Sequence, residues 1–209
     1  MRRGGYAIYH PTYYRVLAHA ERTRVALTVH DMIHELFPQF MTAGDPTVEL
    51  RRTALPKADV ILTNPPFGTK KGGGKPTRQD FIFTTSNKQI AFVEHCYSGL
   101  NPGGRCAVVV PDNVLFEDSI GRDLRADLMD KCDLHTILRL PTGIFYAQGV
   151  KTNVLFFTRG HRHKHQTKAV WLYDMRTNVS SLGKRSPLTR SHFAEFEACF
   201  GRDRHGKAA

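Results

Sequence analysis

The sequence feature that most constrains this chain is Asn64-Pro65-Pro66-Phe67, which follows directly on the apolar run Ala58-Asp59-Val60-Ile61-Leu62-Thr63. Neither proline can donate to a β-ladder or continue a helix, so a short buried strand must stop there. The alternation that follows is that of an α/β sheet with crossover helices. Gln79 to Leu100 carries a helical pattern around Ile90, Phe92, Val93 and Tyr97, closed by Asn101-Pro102-Gly103-Gly104. Arg105 to Val110 reads as a strand buried on both faces, stopped by Pro111. Asp118 or Ser119 is placed to cap a helix carrying Leu124, Leu128 and Met129. Leu134 to Leu140 and Val154 to Phe157 are further strands, expected to pair as an antiparallel, hairpin-like edge on an otherwise parallel sheet. Trp171 and Tyr173 are expected to pack against the sheet edge. In the first fifty-five residues Tyr13 to Leu36 has helical periodicity in places, yet Pro11, Pro38, Pro46 and Pro56 break the region into fragments.

Thirty Lys and Arg against nineteen Asp and Glu give a net charge of +11 and a pI near 9.8, which favours a polyanionic partner such as nucleic acid. No window approaches eighteen apolar residues, so no membrane partner is expected and the cytoplasm is the expected compartment. Cys96, Cys106, Cys132 and Cys199 are scattered without zinc-ligand spacing and read as reduced core residues; no metal is expected. His161, His163 and His165 alternate with basic residues and read as a solvated connection rather than a metal site. The loop Gly68 to Arg78 lacks phosphate-loop spacing, because Lys75 precedes Pro76; its Lys70, Lys71, Lys75 and Arg78 are candidates for DNA phosphate contacts.

The chemistry lies in the tetrapeptide. An exocyclic adenine amine is a poor nucleophile because its lone pair is delocalised into the ring. Two acceptors, the Asn64 side-chain carbonyl and the Pro65 main-chain carbonyl, can take both N–H hydrogens and localise that pair toward an electrophilic methyl. Pro65 and Pro66 hold both acceptors in place before substrate arrives. Phe67 offers a stacking face for a base that has left its duplex. The competing reading is a strand-ending turn with a core phenylalanine. Position decides between them, since ligands of open α/β sheets bind at the carboxyl ends of strands.

These residues also carry a family resemblance. Ala58 to Gly68 (ADVILTNPPFG), Asn101 to Arg105 (NPGGR), Val108 to Pro111, Leu140 to Phe145 (LPTGIF), Lys151 to Phe157 (KTNVLFF) and Trp171 to Arg176 occur in the order seen in the modification subunit of type I restriction–modification systems. The chain resembles that family of adenine-N6 DNA methyltransferases from about Asp45 to Asp203. The resemblance implies a Rossmann-like, S-adenosylmethionine-dependent methyltransferase sheet, incomplete in its amino-terminal half. It implies catalytic roles for Asn64, Pro65, Pro66 and Phe67, and matches Asp45 to the acidic position that contacts the cofactor's adenine. The family's glycine-rich cofactor turn is not found, and Gly4-Gly5-Tyr6 can be its last residues; the chain is therefore expected to be a catalytic-half fragment.

The expected organisation is a partial catalytic domain over 1–160 and a peripheral carboxy-terminal segment over 161–209. Implied partners are DNA, a specificity subunit, a second modification subunit and a restriction subunit. Two alternatives stay open: a silent remnant or interaction module without a cofactor pocket, and a methyltransferase acting on protein glutamine or RNA.

Overall fold

The computed structural model describes residues 57–65, 67, 80–145, 149–179 and 182–202, with the strand backbones of 8–9 and 24–29. Among the described residues, seven strands form one mixed sheet: β1 (Ile8–Tyr9), β2 (Arg24–Val29), β3 (Ala58–Thr63), β4 (Leu100–Pro111), β5 (Cys132–Arg139), β6 (Thr152–Arg159) and β7 (Trp171–Asp174), in spatial order β1-β2-β3-β4-β6-β5-β7. β1 to β4 run parallel, β5 pairs parallel with β7, and β6 is antiparallel to both its neighbours.

The hairpin-like edge expected of the fourth and fifth apolar runs is corrected in one respect. β5 and β6 do pair antiparallel, but β6 lies inside the sheet, between β4 and β5, and β7 takes the edge beyond β5. The reason is that β6 is apolar on both faces. Leu155 and Phe157 are buried in the helix-covered core, while Val154 and Phe156 pack into a second cluster on the other face. Such a strand loses least surface to water in an interior position.

The helix expected over Gln79 to Leu100 is shorter, α1 (Lys88–Ser98). Asn87 fixes its start by accepting from the Gln89 and Ile90 amides at 3.0 and 3.4 Å. Glu94, inside the helix, accepts from the Ile82 and Phe83 amides and so holds the preceding segment in a non-helical course. The Asn101-Pro102-Gly103-Gly104 stretch, expected to close the helix as a turn, belongs instead to β4. Between the pairs Ala58 with Leu100 and Val60 with Arg105, β3 advances two residues while β4 advances five. The three extra residues bulge out, and only glycine suits two positions in the bulge. Gly103 has φ of +80°, and a Cβ on Gly104 would stand 2.8 Å from the Asn101 carbonyl oxygen.

A four-residue helix, α2 (Asn113–Phe116), and α3 (Ile120–Lys131) follow. Ser119 does occupy the cap position of α3, but its side chain makes no capping hydrogen bond. Arg125 instead donates to the Val114 and Glu117 carbonyls at 3.0 and 2.8 Å, tying α3 to α2. α1 and α3 cover one face of the sheet, where Ile61, Ile90, Tyr97, Leu124, Leu128 and Phe157 are each at most 1% exposed. Fully burying a side chain of this size contributes about 1.5–3 kcal/mol. Met129, expected on the apolar face of α3, is 38% exposed, because Leu124 and Leu128 already span the contact.

On the other face a short 3-10 turn (Arg190–Phe193) leads into α4 (Ala194–Phe200). Trp171 stacks on Phe196 with centroids 5.7 Å apart, and Tyr173 meets the same ring edge-on at 5.5 Å, so both aromatics pack at the sheet edge as expected. Cys96, Cys106 and Cys132 are buried and unpaired. Burial pushes the Cys132 thiol up to about 11, in keeping with an inert core residue. Among the described residues no helix is long and apolar enough to cross a membrane.

Candidate active site

Because β3, β4 and β5 are parallel, their carboxyl ends share one edge of the sheet, and the antiparallel β6 starts there at Thr152. Asn64 leaves β3 at this edge with its residue exposed, while Pro65 is buried against the fold. A polar side chain is thus presented to solvent from a turn whose next residue is anchored. Pro66 lies outside the described residues, as do Asp45, Lys70, Lys71, Lys75 and Arg78, the other residues singled out from sequence.

Phe67 is half-buried and meets Phe145 edge-to-face, with centroids 5.0 Å apart and planes at 80°. Phe145 comes from the Leu140 to Phe145 segment after β5, seventy-eight positions along the chain. The two aromatics therefore form an edge-to-face contact that begins three residues beyond Asn64. Gly143 shapes the segment that delivers Phe145. Its φ is +84°, and a Cβ there would stand 1.8 Å from the Leu182 carbonyl oxygen, in a turn closed by the Leu182 amide donating to Thr142 at 2.9 Å. Gly143→Ala combines a strained backbone with a backbone clash and is expected to destabilise the fold by about 2–3 kcal/mol, read as a lower urea midpoint. An unchanged midpoint would show that the turn relaxes freely.

At the same edge, the strand ends are joined by a half-buried polar network. Arg176, after β7, donates to both oxygens of Asp112, after β4, at 2.7 and 3.1 Å. It also donates to the Leu140 and Thr152 carbonyls at 3.0 and 2.9 Å. Asn153 donates to Asp112 at 2.8 Å, and Arg139 pairs with Asp174 at 3.0 Å. Burial alone would push the Asp112 carboxyl up. Hydrogen bonds from Arg176 and Asn153, with the charges of Arg176 and Arg139, outweigh it and hold the carboxyl below its ordinary value.

This network and Phe145 were not singled out by sequence reasoning. A usable signal did exist: Asp112, Arg139, Asn153 and Arg176 each sit at or just past a strand end, on the side that the parallel order brings together.

Comparison with known proteins settles the family. The N-6 DNA methylase family model matches residues 19–208. The chain belongs to that family. Within it, the chain is 59% identical over 157 residues to the type I restriction enzyme StySJI methylase subunit of Salmonella typhimurium strain LT2, covering 73% of this chain and 29% of that protein. The EcoKI methylase subunit of Escherichia coli K12 matches with the same identity, length and coverage. The crystal structure of the type I restriction enzyme EcoKI M protein superimposes with a TM-score of 0.67 at 58% identity, over 73% of this chain and 32% of that one. The chain spans about 29% of the length of these curated relatives. The Rossmann-like methyltransferase sheet expected from sequence is the fold observed.

Proposed function

We propose that this chain transfers a methyl group from S-adenosylmethionine to N6 of an adenine flipped out of a specific DNA site, as the catalytic part of a type I methylase subunit. The observation that carries the reading is the exposed Asn64, followed by buried Pro65, at the carboxyl end of a parallel strand and three residues before Phe67, which meets Phe145. In this reading the Asn64 Oδ1 and the Pro65 carbonyl accept the two N6 hydrogens and localise the nitrogen lone pair. Pro66 keeps the turn rigid, and Phe67 stacks on the extruded base.

Asp112 and Asp174 are engaged by Arg176 and Arg139, so in this reading the neutral carbonyls of the turn, and not a carboxylate, accept from the adenine amine. When bound, S-adenosylmethionine supplies an electrophilic methyl on sulfur. Asp45 is the residue assigned to the cofactor's adenine, and Lys70, Lys71, Lys75 and Arg78 to DNA phosphates. Residues 1–160 would carry the chemistry and 161–209 lie peripheral to it. A specificity subunit would choose the DNA sequence, with a second methylase subunit and a restriction subunit completing a cytoplasmic assembly.

The test is calorimetric titration with S-adenosylmethionine, together with transfer of tritiated methyl to unmethylated genomic DNA. Phe67→Ala is expected to raise the DNA concentration for half-maximal transfer about 5- to 150-fold, the equivalent of one lost base-stacking contact. Label appearing in RNA or in protein instead of DNA would support the alternative substrates. No cofactor binding and no label in any acceptor would support the silent-module reading.

A further inference from the structure

The opposite edge of the sheet carries a second feature, unconnected with the Asn64 turn. β6 ends there at Arg159, and the connection to β7 folds into a small lobe over the amino-terminal ends of β4 and β5. The lobe is built rather than loose. The Gly160 amide donates to the Lys131 carbonyl at 3.0 Å, the His165 amide to Asp130 at 3.1 Å, and the Thr167 amide to the Met129 carbonyl at 3.0 Å. Thr167 Oγ1 bridges β5, donating to the Cys132 carbonyl at 2.7 Å and accepting from the Leu134 amide at 2.8 Å.

This lobe and the strand ends enclose a concavity of about 860 Å³. Its rim is formed by the exposed side chains of His161, Arg162, His163, Lys164, His165 and Lys168. Arg159 also belongs to the lining; its guanidinium interacts with the Cys132 thiol, and its Nη1 is buried with no hydrogen-bond partner among the described residues. Two carboxylates stand near, Asp133 in the lining and Asp130, which pairs with His165 at 3.7 Å. Among the described residues, no ion pair engages Arg162, Lys164 or Lys168.

We infer that this concavity is a second anion site, one that binds the phosphate backbone of duplex DNA without reading its sequence. The composition of the lining selects the partner. Apart from its three imidazoles, the lining carries no Leu, Ile, Val, Met, Phe, Tyr or Trp side chain, so the site lacks the large apolar anchors that carry the binding energy of protein interfaces. Phosphate contacts need only cations and N–H donors. The guanidinium and ammonium groups supply charge, and each imidazole offers an N–H in either protonation state. The site lies about 20 Å along the strands from Asn64, at a rise of about 3.3 Å per residue, so it contacts DNA apart from any base held at the catalytic turn. It therefore stands whether or not the chain transfers a methyl group.

The test measures fluorescence anisotropy of a labelled 30-base-pair duplex made only of G·C pairs, which offers no adenine to the catalytic turn. The whole chain is compared with the triple variant Arg162→Gln, Lys164→Gln, Lys168→Gln over a range of salt concentrations. All three side chains are exposed, and an unchanged thermal midpoint verifies folding. The expected result is at least a tenfold loss of affinity at low salt, with the slope of log affinity against log salt shallower by about 2 to 3. The charge-conserving variant Arg162→Lys, Lys164→Arg, Lys168→Arg should keep the affinity. Equal affinity and slope for the neutral variant would overturn the assignment. So would an acidic peptide that binds the whole chain more tightly than the duplex and loses that binding in the variant.

Discussion

If the proposed reading holds, replacing Asn64 with alanine is expected to lower methyl transfer to DNA about 100- to 1,000-fold, with calorimetric binding of S-adenosylmethionine unchanged. The size follows from the role. A preorganised hydrogen-bond partner aimed at the charge that changes in the transition state is worth about 2.7–4 kcal/mol when removed. Asn64 is suited to that role because its residue is exposed at the strand end while Pro65 behind it is buried, so the amide is held without being consumed by the fold. The same exposure separates this effect from a stability effect. Asn64→Ala removes no packed group, and its thermal midpoint should match the parent. Asn64→Gln sharpens the point, since it keeps the amide but moves it by one methylene, and a misplacement near 1 Å costs about 100-fold. Equal rates for the parent and both variants would remove Asn64 from the mechanism.

The second large effect concerns stability. Arg176→Ala leaves the Asp112 carboxylate and the Leu140 and Thr152 carbonyls without their shared donor. The side chains of Arg176 and Asp112 are 13% and 24% exposed, so solvent compensates only in part. A loss of about 2–4 kcal/mol is expected, somewhat below that for breaking a fully buried pair. For a chain of this size that lowers the melting temperature by about 5–15 °C. Arg176→Lys should recover little, because a single ammonium cannot reproduce the fork that spans both Asp112 oxygens.

The pH dependence has a definite sign. The folded Asp112 carboxyl is held below its ordinary value, so its contribution is complete above the unfolded carboxylate range, near 4. It is lost as pH falls through the lower folded value. The stability gap between the parent and Arg176→Ala should therefore narrow in acid. A gap independent of pH between 7 and 3 would mean that the carboxylate plays no part in it.

What was legible in the sequence was local. Pro65 and Pro66 end β3 by backbone chemistry alone, and the β-branched run up to Val110 declares a buried strand without reference to any neighbour. Strand order was less legible, because it depends on which faces are buried after assembly. Val154 to Phe157 looked the same in sequence whether it lay at an edge or, as observed, inside the sheet. The boundary between α1 and β4 was misplaced because Asn101 to Gly104 has the composition of a turn. It forms instead a bulge whose partner, Ala58, lies some forty residues earlier.

At the candidate site, Asn64 and Phe67 stood out because their neighbours are unusual. Phe145 and Arg176 did not, since their significance comes from contacts across 78 and 64 positions. Asp45 and the basic residues from Lys70 to Arg78 lie outside the described residues and rest on the sequence argument.

The central claim, that the Asn64 turn methylates adenine in DNA, is tested most directly by the identity of the product. Unmethylated genomic DNA would be incubated with the chain and deuterated-methyl S-adenosylmethionine, digested to nucleosides and resolved by mass spectrometry. The expected product is labelled N6-methyldeoxyadenosine, which disappears with Asn64→Ala. Label on cytosine, or labelled N6-methyldeoxyadenosine undiminished in Asn64→Ala, would contradict it.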